Sequence, residues 1–229
     1  MQGKLYGIGT GPGDPELLTL KAIHTIEKCD VIALPSAGSN ESTAFGIVGR
    51  YIADKPLLEC QFSMEKDGEK RKAVRKKSAD SICELLDQGK NVGFVTLGDP
   101  AIYSTYMYIH EIVGERGYDT QIIPGIPSFV AAAAALNTSL CLGGEALHII
   151  PASDNEDIEG LLALPGNKII MKSGKSLNNV LEVLKKKGLS EKTKIVERCT
   201  MDGEHIFHSI DELEAAGGAG YFSIAIVKE

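Results

Sequence analysis

Three glycine-bearing segments, residues 7–14, 96–103 and 124–128, each follow a run of apolar residues that predicts a β-strand. Glycine adopts positive φ at little cost and lets a ligand approach the main chain closely. We expect several positive-φ positions in the first segment, where glycine occupies every second position from Gly7 to Gly13. Because ligands of open α/β sheets bind outside the carboxyl ends of the strands, these segments predict a binding site at such an edge.

The first segment does not have the composition of a phosphate loop. A P-loop carries Lys followed by Ser or Thr after its last glycine, and Asp14-Pro15 stands there instead. The dinucleotide fingerprint G-x-G-x-x-G also fails, because its sixth position falls on Pro12 or on Asp14. An acidic residue at that turn would repel a pyrophosphate. ATP and dinucleotides are therefore disfavoured, and a compact ligand without phosphate fits better.

Asp99 gives the second segment its chemical character. Its carboxylate is an acceptor-only group beside Gly98, which suits a ligand that offers hydrogen-bond donors or positive charge, such as an α-ammonium or a ribose. The alternative is that Asp99 simply caps the helix predicted over residues 102–116. The third segment adds a turn and the hydroxyl of Ser128.

The N-terminal half alternates predicted strands with helices, including helices over residues 14–29, 66–88 and 102–116. This alternation is typical of βαβ units in a mainly parallel sheet. Pro124-Gly125-Ile126-Pro127 then interrupts the pattern. We predict two α/β domains, residues 1–123 and 124–229, with mixed, mainly parallel sheets. The last strand, residues 221–227, has no helix after it and could pair antiparallel at an edge or inside a mixed sheet.

Composition excludes several classes of function. A net charge of −7 argues against broad nucleic-acid binding, which needs a basic face. Neither a long uncharged apolar stretch nor the apolar core of a signal peptide is present, so we expect a cytoplasmic protein away from the membrane. The five cysteines form no CxxC pair, which predicts reduced, mostly buried thiols rather than a metal site. Residues 66–77 and 185–187 are basic clusters, either solvated helix faces or sites that attract a polyanion.

Four motifs in order resemble those of the tetrapyrrole methylases. They are GxGPGDxxLLTLKA over residues 9–22, DVI from Asp30, GDPxxY over residues 98–103 and PGIPS over residues 124–128. The resemblance spans the chain, continuing through Glu197-Arg198 and the final strand. Residues 96–108, residues 197–201 and the chain length resemble the branch that methylates C20 of precorrin-2 or cobalt-factor II in cobalamin biosynthesis.

The resemblance implies a cofactor, a fold and a set of contacts. It implies S-adenosylmethionine (SAM) as the donor, a tetrapyrrole as the acceptor, a homodimer, and no metal bound by the protein. The two α/β domains would form a cofactor cleft at their junction, unlike the Rossmann-like methyltransferase fold. The residues implied to contact SAM are Pro12, Gly98, Asp99, Ile102, Tyr103, Ser128, Phe129, Ala152, Met171, Thr200 and Ser223.

The implied reaction needs little from the side chains, because the sulfonium methyl is already electrophilic and the protein mainly aligns it with the acceptor carbon. Tyr103 is the candidate catalytic residue, and any base could also be one of the histidines, of which His24 and His110 fall in predicted helices and are expected to be structural. Donors for the substrate carboxylates could come from residues 66–77, Lys172 and Arg198. The histidines are His24, His110, His148, His205 and His208.

Two groups of alternatives remain open. A family relative could methylate another corrin carbon, uroporphyrinogen, or the modified histidine of an elongation factor. From a different class, the chain could be a SAM-sensing module without catalytic turnover. The sequence does not decide whether the substrate carries cobalt.

Overall fold

A computed structural model of the chain describes residues 1–36, 43–62, 67–153 and 157–229. They divide into two units, Met1–Pro127 and Ser128–Glu229, and each unit has its own sheet. Both units alternate helices with strands, so the predicted α/β fold class is confirmed.

The first unit is built on a parallel sheet with the strand order β3-β2-β4-β1-β5. Its central strands are continuous apolar runs buried on both faces, as parallel sheets require. The strands are β1 Leu5–Gly9, β2 Val31–Ser36, β3 Leu57–Gln61, β4 Val92–Thr96 and β5 Thr120–Ile123. The helices are α1 Leu20–Lys28, α2 Thr43–Ile52, α3 Gly68–Asp87 and α4 Tyr106–Glu115.

The helices of the first unit form two hydrophobic layers. Buried residues of α1 and α2 share one apolar cluster, and those of α3 and α4 share another. Right-handed crossovers explain this arrangement, because the chain moves one way along the sheet from β1 to β3, through α1 and α2, and the other way from β3 to β5, through α3 and α4. The connections that leave the neighbouring strands β1 and β4 therefore run to opposite faces of the sheet. Such a switch point is where open α/β sheets bind ligands.

Two helices begin later than the periodicity predicts. The helix predicted over residues 14–29 is interrupted, because Asp14 caps a separate 3-10 turn, Pro15–Leu17, and the Thr19 hydroxyl caps α1 by accepting from the Ala22 N–H at 3.1 Å. The helix predicted over residues 102–116 begins only at Tyr106. Tyr103 there has a φ of 48°, which is incompatible with a right-handed helix.

The second unit has a mixed sheet with the order β6-β7-β10-β8-β9. Strands β6 and β7 are parallel, whereas β10 is antiparallel to both β7 and β8. The last strand therefore pairs antiparallel inside a mixed sheet, which was one of the two predicted placements. The hairpin of β8 and β9 makes this sheet less parallel than we predicted. The strands are β6 Leu147–Pro151, β7 Asn167–Met171, β8 Thr193–Glu197, β9 His205–Phe207 and β10 Ser223–Val227.

The helices of the second unit cover its sheet with a single apolar cluster. They are α5 Ser128–Ala135, α6 Ile158–Ala163, α7 Leu177–Lys186 and α8 Ile210–Ala215. Across the described parts of both units, no helix combines the length and the apolarity that crossing a membrane requires. Burial raises the pKa of the Cys29, Cys60 and Cys199 thiols to about 12 each, so these cysteines are packing residues rather than nucleophiles.

Candidate functional site

The three glycine-bearing segments leave adjacent strands of the first sheet. Strand β1 lies between β4 and β5, and its last residue, Gly9, is level with Thr96 at the end of β4. Ile8 is level with Ile123, the last residue of β5. The segments therefore start side by side at the carboxyl edge, as we predicted for the three strand ends.

Backbone hydrogen bonds join the first two segments. The Thr10 N–H donates to the Thr96 carbonyl at 2.9 Å, and the buried Thr10 hydroxyl donates to the same oxygen at 3.1 Å. Gly11 and Gly98 then form a reciprocal pair, with N–H to O distances of 3.2 and 2.7 Å. The strand pairing thus extends past the sheet edge and fixes Gly98 against the first segment.

The third segment packs against the other two through glycine. A Cβ added at Gly125 would lie 2.2 Å from the Gly98 carbonyl oxygen. A Cβ at Gly9 would lie 2.5 Å from the Gly125 nitrogen. Both separations are far below van der Waals contact, so the three main chains meet at positions where a side chain cannot be placed. We call Gly9, Gly11, Gly98 and Gly125 the glycine junction.

Glycine in the first segment serves mainly close approach rather than unusual backbone angles. Within residues 7–14, all of which the structure describes, Gly11 alone has positive φ, at 75°, so our expectation of several such positions is wrong. Gly7 is needed because a Cβ there would lie 1.9 Å from the Tyr106 ring. Gly98 has a φ of 73° and open space where its Cβ would project.

Asp99 bridges two of the segments. Its Oδ1 accepts from the Ala101 N–H at 2.8 Å, and its Oδ2 accepts from the Gly125 N–H at 2.9 Å. Because α4 begins at Tyr106, Asp99 is not the cap of that helix, and the capping alternative is wrong. The carboxylate instead links the segment after β4 to the turn after β5.

Ser104 and Thr10 are site residues that the sequence analysis missed. The Ser104 hydroxyl lies 2.9 Å from the Thr96 hydroxyl and accepts from the Tyr106 N–H at 3.2 Å. These contacts hold the non-helical segment that carries Ile102 and Tyr103. Tyr103 is 43% exposed. A serine two residues before the start of α4 is a recognisable turn signal, and it was hidden by the apolar periodicity around it.

The histidine candidates separate into different environments. His110 Nδ1 lies 3.0 Å from the hydroxyl of the buried Tyr106, and its Nε2 lies 3.4 Å from the Thr120 hydroxyl. Burial raises the pKa of Tyr106 well above its ordinary value, so this pair acts as a polar link inside the first unit. His148 Nε2 lies 2.9 Å from the Pro165 carbonyl oxygen, whereas His24, His205 and His208 are exposed.

Predicted contact residues of the second unit lie along one edge of its sheet. Ala152 follows β6, Met171 ends β7 and Ser223 begins β10, directly opposite Glu197 at the end of β8. Thr200 belongs to the turn after β8 and has a φ of 62°. Ser128 and Phe129 start α5, which packs against β10. Pro12 of the first unit is buried in the first segment.

The candidate donors for carboxylates also follow strand ends. Lys172 comes directly after β7 and Arg198 directly after β8, with φ values of 53° and 50°. The Arg198 Nε–H donates to the Asp202 carbonyl at 2.6 Å, which folds this side chain over its own turn. In the first unit, the N-terminal half of α3 carries the basic cluster, while Lys66 lies outside the described residues.

Metal ligands are not assembled at any of these positions. In residues 1–36, 43–62, 67–153 and 157–229, no group of three His, Cys, Asp or Glu side chains could hold a metal ion. At the carboxyl edge of the first sheet, the groups brought together include main-chain groups, the hydroxyls of Thr10, Thr96 and Ser104, and the bridging carboxylate of Asp99. Such an arrangement can bind and orient a small molecule.

A family model described as "Tetrapyrrole (Corrin/Porphyrin) Methylases" matches residues 4–214. This match covers most of the 229 residues, so the chain belongs to the tetrapyrrole methylases. The family resemblance that we drew from four motifs is confirmed.

Three curated relatives match over nearly their whole length. The probable cobalt-precorrin-2 C(20)-methyltransferase of Methanocaldococcus jannaschii is 36% identical over 98% of this chain and 96% of the relative. The cobalt-precorrin-2 C(20)-methyltransferase of Salmonella typhimurium is 29% identical over 100% of this chain and 98% of the relative. The precorrin-2 C(20)-methyltransferase of a Sinorhizobium species is 29% identical over 98% and 95%.

Solved structures agree on the fold. A cobalt precorrin-4 methyltransferase superposes with a TM-score of 0.75 at 24% identity, covering 98% of this chain and 94% of that one. The uroporphyrin-III C-methyl transferase of Thermus thermophilus, complexed with S-adenosylhomocysteine, gives 0.70 at 20% identity, covering 99% and 98%. At these identities the likeness establishes a shared architecture.

Proposed function

We propose that this protein transfers a methyl group from SAM to C20 of precorrin-2 or of its cobalt-containing form, in cobalamin biosynthesis. The observation that carries this proposal is the match to a C20-methyltransferase at 36% identity over 98% of the chain and 96% of the relative. Relatives named for the cobalt-containing and for the cobalt-free substrate both match from end to end. The substrate's metal is therefore a variable of the experiment below.

The carboxyl edge of the first sheet fits the donor. The space that a Cβ of residue 98 would occupy is open, so a ligand can approach the main chain at Gly98. The absence of a phosphate loop matches a ligand that has an adenosine and an amino acid but no phosphate. We propose as donor contacts Pro12, Gly98, Asp99, Ile102 and Tyr103 in the first unit, and Ser128, Phe129, Ala152, Met171, Thr200 and Ser223 in the second.

Bound SAM supplies a methyl carbon attached to a positively charged sulfur. The chain's own residues bind the donor, orient it and keep water away. Alignment of reacting groups supplies about 7–11 kcal/mol in favourable cases, which reduces the need for a side-chain nucleophile. The glycine junction serves this purpose, because main-chain groups fixed by hydrogen bonds and close contact do not have to reorganise when the ligand binds. Tyr103 remains our candidate for handling a substrate proton.

Mass spectrometry of the product tests the proposal. The purified protein is incubated with SAM and precorrin-2, with and without cobalt, under anaerobic conditions. We expect a product one methyl group heavier, and isotope-labelled SAM followed by NMR should place the new carbon at C20. The metal state that reacts faster identifies the substrate.

The alternatives give different results in the same assay. Methyl transfer to uroporphyrinogen, to another corrin carbon or to an elongation-factor histidine would replace the proposed acceptor. Binding of S-adenosylhomocysteine without turnover on any acceptor would indicate a SAM-sensing module. The homodimer and the cytoplasmic location stay predictions, and light scattering of the purified protein measures the first of them.

A further inference from the structure

Asp99 uses both oxygens of its carboxylate on the main chain. One oxygen accepts a hydrogen bond from the N–H of Ala101, two residues along the chain. The other accepts from the N–H of Gly125, 26 residues away. We infer that Asp99 is a positioning residue, which ties the segment after β4 to the turn after β5 so that the donor meets a preformed surface. This inference rests on the proposed SAM site and changes the role that the sequence suggested for Asp99, namely an acceptor for the ligand itself.

The two bonds of Asp99 differ in what they require. The bond to Ala101 is a local turn, which Asn or Ser can also form. The bond to Gly125 needs a second acceptor on the same side chain. Only a carboxylate provides two acceptor atoms, because one end of an Asn side chain is a donor. A charged acceptor also makes both bonds stronger than neutral ones.

The rest of the glycine junction explains why this link matters. Gly98, which precedes Asp99, is held by Gly11 on one side and stands in close contact with Gly125 on the other. Without the Asp99 carboxylate, the Gly125 N–H would lose the acceptor that it has here and would be drawn towards water. The Asp99 bridge keeps the two main chains together at the point where the ligand approaches Gly98.

Asp99→Asn tests the inference with two probes, S-adenosylhomocysteine and 5′-methylthioadenosine, which lacks the amino acid. A positioning role predicts that calorimetry finds both probes weakened by a similar factor, on the order of tenfold, as for one lost charged hydrogen bond. A direct contact to the ligand's ammonium predicts weaker S-adenosylhomocysteine and unchanged methylthioadenosine. That second pattern would overturn the inference.

Hydrogen exchange at the Gly125 amide gives a readout that needs no ligand. NMR should show faster exchange in Asp99→Asn than in the wild type, and equal rates would also overturn the inference. Asp157→Asn is the matched control, since Asp157 caps α6 with one oxygen on the Gly160 N–H at 2.9 Å, which Asn can replace. It should change neither affinity. If the wild type binds neither probe, the proposed function fails, and the exchange experiment still decides the role of Asp99.

Discussion

Gly125 is the position at which a single added methyl group tests the close contacts of the glycine junction. Gly125→Ala would place its Cβ 2.2 Å from the Gly98 carbonyl oxygen, so the glycine junction must open. We expect the affinity for S-adenosylhomocysteine to fall at least tenfold by calorimetry, with a drop in unfolding free energy of about 1–3 kcal/mol, as for other overpacked sites.

Gly49→Ala is the matched control for this prediction. Gly49 lies inside α2 with no atom within 4 Å of its Cβ position, so alanine should stabilise the helix by roughly 0.5–1 kcal/mol. Ligand affinity should stay at the wild-type value. Wild-type affinity in Gly125→Ala as well would show that the glycine junction does not form part of the donor site.

Residue types predicted where the strands end better than they predicted the contacts made by the residues at those ends. Glycines and an aspartate after apolar runs were sufficient to locate the strand ends, because strand ends and turns are local features. The role of Asp99 depends on Gly125, and the need for glycine at position 7 depends on the Tyr106 ring. Both are tertiary contacts, which residue type and spacing do not contain.

Among the elements, the start of α4 shows where periodicity misleads. The apolar spacing of α4 continues backwards through Ile102, which favours a longer helix. The structure instead uses the Ser104 hydroxyl to cap the Tyr106 N–H, and Tyr103 takes a left-handed conformation. The residues that this change exposes belong to the candidate site. Local preference was overridden within the candidate site, which is where strained segments are expected.

Helix α3 carries a basic cluster in an unfavourable place, the N-terminal half of a helix. The described cations there are Lys70, Arg71, Lys72, Arg75, Lys76 and Lys77. Cations near a helix N-terminus oppose its dipole, and like charges four residues apart repel. Because α3 follows β3, this end stands at the carboxyl edge of the sheet. The Arg75 guanidinium is held 3.5 Å from the centre of the Tyr108 ring. This arrangement favours recognition of a polycarboxylate.

Lys77→Glu tests that interpretation. We expect the KM for the tetrapyrrole to rise several-fold at low salt with little change in kcat or in S-adenosylhomocysteine affinity, and the effect should shrink as salt screens the charges. Lys28→Glu, at the exposed last turn of α1 and the opposite edge of the sheet, is the control of equal charge change and should have a smaller effect on KM. Equal KM values in both variants would show that the basic half of α3 is only a solvated helix face.

For the whole molecule, the class of fold was easier to predict than the strand order. Alternating apolar strands and helices identify parallel α/β units, because each strand and its crossover helix are neighbours in sequence. In the second sheet, β10 lies between β7 and β8. Along the chain, 50 residues or more separate β7 from β10, and 25 residues or more separate β8 from β10. Those pairings depend on contacts distant in sequence, and the short β9 strand has too few residues to show a period.

An ionic network around the buried Lys168 joins distant parts of the second unit. The Lys168 ammonium is fully buried, donates to the Gly166 carbonyl at 2.8 Å and pairs with the Glu229 carboxylate, which also accepts from the Gly166 N–H at 3.1 Å. Asn167 donates to Glu145 at 2.8 Å. The bond from Lys168 holds the pKa of Glu229 below its ordinary value, and hydrogen bonds from the Leu142 N–H and from Asn167 do the same for Glu145.

This network predicts how stability depends on pH. A carboxyl whose pKa is lowered by folding stabilises the protein fully above its unfolded pKa, and that contribution is lost as pH falls through the folded pKa. Urea unfolding should therefore show that the free energy of unfolding decreases as the pH falls below the ordinary glutamate pKa of about 4.3.

Glu229→Gln should be less stable than the wild type at pH 7, by up to about 3 kcal/mol, because Lys168 stays buried without an anion. The two curves should converge at low pH, whereas Glu182→Gln, on an exposed face of α7, should run parallel to the wild type. A constant gap for Glu229→Gln at every pH would show that its charge does not stabilise the second unit.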